Sequence, residues 1–168
     1  MSSAQRFTTE YVDFEDRVRL TYLIQDGSIH IAWLTHRFLD RLITHAVNWL
    51  EKSTRPMPRG DTLQAFALDV AVSKLPEQPP VKADADAETP SWVVYSVDFK
   101  FKDATILLAL KSRDEASRAE LSMNIVQLRQ WLNILHKQYV KAGWNLSCWP
   151  EWLLERDSVS SSSPKMLH

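Results

Sequence analysis

Residues 17–50 read RVRLTYLIQDGSIHIAWLTHRFLDRLITHAVNWL, and the change of period along them decides the fold class. Val18, Leu20, Tyr22 and Ile24 alternate with Arg17, Arg19 and Thr21, the pattern of a strand buried on one face. Asp26-Gly27 follows, a strong hairpin signal because glycine tolerates the positive φ of a tight turn. Ile29, Ile31 and Trp33 form the return strand, with Ser28, His30 and Ala32 opposite. Thr35 suits a helix N-cap, and Phe38, Leu39, Leu42, Ile43, Ala46, Trp49 and Leu50 then recur at helical spacing. The stretch is a hairpin followed by a helix. An earlier strand is expected where Phe7, Thr9 and Tyr11 alternate.

The same plan is expected again downstream. Tyr95, Val97, Phe99 and Phe101 share one face of a strand over 92–101, Asp103-Ala104 turns, and Ile106, Leu108 and Leu110 return. Ser112-Arg113-Asp114-Glu115 matches a capping box. The helix after it runs to about Lys141, with Gly143 to end it. Laying Asp26 on Asp103 aligns the two hairpins and sets Thr35 on Ser112. The expected fold class is therefore α+β: an antiparallel sheet of four to five strands with helices on one face, built from two hairpin-then-helix (ββα) units.

One domain over 1–156 accommodates this plan, with units at about 5–53 and 91–142. Asp61-Thr62-Leu63-Gln64 begins a middle helix over about 61–75, with Leu63, Phe66, Ala67, Val70 and Ala71 on its apolar side. The segment 76–90 (PEQPPVKADADAETP) lacks large apolar groups and reads as a mobile loop. A tryptophan-rich segment occupies 143–156, and the serine-rich end, 157–168, reads as a disordered tail.

The 168 residues hold only 3 glycines, all isolated, so no phosphate-cradling loop or dinucleotide fingerprint can be written from them. No cofactor or metal motif is present, and Cys148 is the lone cysteine. With no apolar leader and no membrane-length apolar run, a cytoplasmic setting is expected. The net charge of −1 gives no global argument for nucleic acid.

What remains is surface. Trp144, Trp149, Trp152 and Leu153 crowd one end, and large aromatics serve cores and interfaces alike. The leading expectation is a non-enzymatic protein-interaction or adaptor module that uses this cluster, or the sheet's open face, to meet a partner. The long second-half helix carries Met123, Val126, Trp131 and Ile134 away from its main apolar stripe, so a homodimer through that helix is expected. The alternative is nucleic-acid binding by a basic stripe of Arg37, Arg41, His45 and Lys52, extended by Arg17 and Arg19. Against it, Asp40 interrupts the stripe and no stacking aromatic is read on that side. His36 and Asp40, four apart, are read as a hydrogen-bonded pair. A further alternative is a small ligand held between sheet and helices beside Trp33 or Trp92.

Overall fold

A computed structural model describes residues 2–52, 60–76, 78–83 and 88–154. Strands β1 (Ser2–Val12), β2 (Arg17–Ile24) and β3 (Ile29–Leu34) lead into helix α1 (His36–Lys52), and helix α2 (Gly60–Ser73) follows. Strands β4 (Ser91–Val93), β5 (Ser96–Lys102), β6 (Thr105–Lys111) and β7 (Arg118–Asn124) then lead into helix α3 (Ile125–Ala142). The tail 157–168 and the side chain of the expected cap Asp61 lie outside what is described.

The seven strands form one curled sheet in the order β4-β3-β2-β1-β7-β6-β5. It is larger than expected and mixed: β1 meets β7, and β3 meets β4, in parallel. The missing strands have two origins. The expected strand over 92–101 is split, because Val94 donates its N–H to Trp33 while Tyr95 donates to Lys111. The chain thus meets β3 along its first part and β6 along its second, joining the two ends of the sheet through two residues.

The other strand, β7, lies where a helix was expected. Ser112 Oγ accepts the Ser117 N–H and Asp114 Oδ1 accepts that of Ala116, so the supposed capping box closes a turn between β6 and β7. Short polar side chains satisfy amides in turns as readily as at helix starts. The cap of α3 is Asn124, whose side chain accepts from Gln127 N–H while Gln127 returns the bond. Gly143 ends α3 at φ 71°. A third strand therefore precedes the second helix, and the ββα alignment of the halves does not carry across Ser112.

Antiparallel partners share a face, and the register pairs Val18 with Leu34 and Leu20 with Ala32. Ala32 and Leu34 therefore enter the core, while Trp33 faces outward beneath the Arg17 guanidinium at 4.6 Å. Ile106, Leu108 and Leu110 of β6 and Ala119, Leu121 and Met123 of β7 continue the inner face. Onto it pack Leu39, Leu42, Ile43 and Leu50 of α1 and Leu128, Leu132, Leu135 and Tyr139 of α3.

Helix α2 turns Gln64, Leu68 and Ala71 inward; of the expected apolar side Ala71 is buried, but Leu63 and Phe66 are exposed. Gln64 decides this: it accepts from buried Arg129 at 2.6 Å and donates to the Leu50 carbonyl. On the sheet's outer side, Val81 is buried and donates its N–H to Thr8 Oγ1. That part of the loop segment lies across β1.

Candidate functional site

The tryptophan-rich end builds core rather than an exposed anchor. Trp149, Trp152 and Leu153 are buried within the chain. Trp152 Nε1 donates to Glu51 at 3.2 Å, and Trp149 meets Tyr139 and His136 edge-on. Trp144, half-buried, stacks on His36 at 4.4 Å and donates to Asp16. Of the residues that motivated a dimer, Met123 and Trp131 are buried within the chain, while Val126 and Ile134 of α3 stay half-buried. Trp131 reaches Phe7 and Thr9, and Gln130 and Arg129 bond to α2.

The six-residue basic stripe divides between two faces. Alternation along β2 turns Arg17 and Arg19 outward, where they pair with Glu15 at 2.8 Å and Glu10 at 3.3 Å. Arg37, Arg41 and His45 stand on α1 against the β4–β5 junction, with Lys52 at the helix end. A cleft of about 400 Å³ is lined there by Phe38, Arg41, Leu42, His45, Tyr95, Val97 and Phe99. A second, of about 270 Å³, continues it past Arg37 to Val93 and Val94, sharing Phe38, Arg41 and Tyr95.

Aromatic rings stand on this side, contrary to the expectation. His45 meets Phe99 at 4.4 Å, Trp49 stacks on Phe101 at 4.7 Å, and Tyr95 is 67% exposed. The lysines of β5, Lys100 and Lys102, are the sequence signal that was missed, because charged side chains mark and protect edge strands. Trp33 and Trp92 line neither cleft. Trp92 instead bonds the Tyr22 hydroxyl at 3.0 Å.

The cleft has a backbone component. Among the described residues β5 pairs only with β6, and its other edge is open. Up to Val94 that edge is filled by β3, which then turns into α1 at Thr35. Helix α1 runs on beside the edge that β3 has left. Unpaired peptide groups, an apolar floor and a basic rim come together there.

Asp40 accepts from the Tyr139 hydroxyl at 2.7 Å and lies 3.3 Å from His36 Nε2. Burial pushes the neighbouring Cys148 thiol up to about 11, which leaves it protonated and unreactive near neutrality. Among the described residues, no three His, Cys, Asp or Glu side chains converge to hold a metal ion. No helix among them is long and apolar enough to cross a membrane.

The fold and the cleft define an α+β protein with a seven-stranded mixed sheet whose edge strand β5, among the described residues, lies open beside a helix. No family model, curated protein or solved structure matches the chain.

Proposed function

We infer that the protein is a protein-interaction module that takes an extended segment of a partner into the cleft between α1 and β5, adding a strand to the sheet. The observation that carries this is the open edge of β5 lying beside the apolar face of α1, where β3 stops. Strand addition draws affinity from main-chain hydrogen bonds and specificity from pockets that take alternate side chains. Both are at hand: one edge of β5 is unpaired, and Phe38, Leu42, Val97 and Phe99 supply the pocket floor.

The two joined clefts, of about 400 and 270 Å³, have the size of a few side chains rather than of a duplex. Two arginines at their rim are few beside the six or more phosphate contacts that typically support nucleic-acid binding. Arg17 and Arg19, which were to enlarge that surface, lie on the opposite face in ion pairs.

Selection from a random peptide library on the immobilised full chain tests the reading. Selected peptides are expected to weaken about tenfold with Tyr95→Ala, since such a loss corresponds to ~1.4 kcal/mol. Phe66→Ala, at an equally exposed aromatic on α2, leaves them unchanged. Peptides that lose affinity with Phe66→Ala and ignore Tyr95→Ala would overturn the assignment.

A further inference from the structure

The chemistry around the open edge specifies the segment that fills it, an inference that rests on the strand-addition reading above. Arg37 and Arg41 rim the cleft from α1, and neither is in an ion pair among the described residues, whereas Lys100 and Lys102 of β5 alternate with Val97, Phe99 and Phe101 and stand with Asp98 on the sheet's other face. The one carboxylate on β5, Asp98, is already held by Lys111 at 2.6 Å. A chain of net charge −1 therefore presents a locally basic rim. A second copy of the chain would bring the same cations against these, an unfavourable like-charge meeting.

Spacing adds to charge. Helix and strand advance together: His45 meets Phe99, and four residues on, Trp49 meets Phe101, two residues on. One step of four helical residues rises ~6 Å, and two residues of strand rise ~6.6 Å. An added strand thus presents alternate side chains in step with Arg37, Arg41 and His45. Beyond Arg41, the cleft floor is apolar, made by Leu42, Val97 and Phe99.

We propose that the docked segment is an acidic peptide that places two carboxylates, two residues apart, on Arg37 and Arg41, and an aromatic side chain two residues further along β5 over Leu42 and Phe99. The carboxylates form charge-assisted hydrogen bonds with the guanidinium groups. The aromatic ring covers the apolar floor and meets His45 at its edge.

The experiment is fluorescence polarisation on the full chain with labelled nine-residue peptides. Each carries Glu-Xaa-Glu-Xaa-Phe, or its reversed order, in a Thr/Val background. The expected result is binding that weakens at least tenfold when both glutamates become lysine, and weakens as salt rises from 50 to 500 mM. Arg41→Glu, on an exposed helix face, should reverse the preference towards the lysine peptide, and Arg37→Glu should act in the same direction.

Equal binding of the glutamate and lysine peptides, with β5 amides protected by both, would overturn the acidic preference and leave strand addition standing. Binding of a short oligothymidylate at Arg41 more tightly than every peptide would overturn the proposal in favour of a nucleic acid. Failure of library-selected and acidic peptides alike to protect any β5 amide would remove strand addition itself.

Discussion

Asp16 sits at a left-handed turn (φ 51°) and accepts hydrogen bonds from the Tyr11 hydroxyl at 2.7 Å and from Trp144 Nε1 at 3.2 Å. These bonds, Tyr11 first, hold its carboxyl below the ordinary aspartate range. In return the hydrogen bond to Asp16, with burial, raises the Tyr11 phenol to about 12. A depressed carboxyl contributes stability above its unfolded pKa, about 3.9, and loses it as pH falls through the folded value. A raised phenol contributes below about 10 and loses its share as pH rises through about 12. Asp16→Asn should therefore lower the urea midpoint at pH 7, and the gap from the parent should be narrower at pH 3. Curves separated equally at both pH values would contradict the assignment. Cys148 offers a second check at this scale. With its thiol at about 11, alkylation by iodoacetamide should be slow at pH 8 and rise steadily towards pH 11. Rapid labelling at pH 8 would place a thiolate where burial forbids one.

At the scale of elements, two helix starts show what sequence pattern resolves. Thr35 was read as the cap of α1, and its Oγ1 accepts the Phe38 N–H. Ser112 carried the same signature and belongs to a turn, with Glu115 in the left-handed region at φ 60°. The two cannot be told apart locally, because Leu121 suits both a helical stripe with Ile125 and a strand with Ala119 and Met123. Only pairing with β6 settles it. The strand pairs of β2–β3 and β5–β6 were legible from alternation and turn residues. The edge status of β5 was not, since it depends on where β3 ends in space. Asn124→Ala should cost ~1 kcal/mol by removing the observed α3 cap, read from urea unfolding. No change would mean that α3 begins elsewhere. Trp152→Ala, in the buried end segment, should cost ~3–5 kcal/mol, whereas Tyr95→Ala at the cleft rim should stay within ~0.5 kcal/mol. Comparable losses at the two positions would erase the distinction between core and surface drawn here.

Across the whole molecule, one sheet curls until its first and last strands in spatial order, β4 and β5, are neighbours in sequence. The inner face is filled by α1 and α3, and the end segment seals them through Trp149, Trp152 and Leu153. Open sheet edges invite pairing, and the one along β5 is left beside a helix with an apolar floor and a basic rim. An added strand would occupy the place that β3 vacates. Amide hydrogen exchange by NMR, on the full chain with and without a saturating library-selected peptide, tests this most directly. Strand addition gives new protection at every second amide from Ser96 to Lys102, those not bonded to β6, with the intervening amides unchanged. Protection that skips β5 altogether, or falls instead on the exposed face of α2 around Phe66, would contradict it.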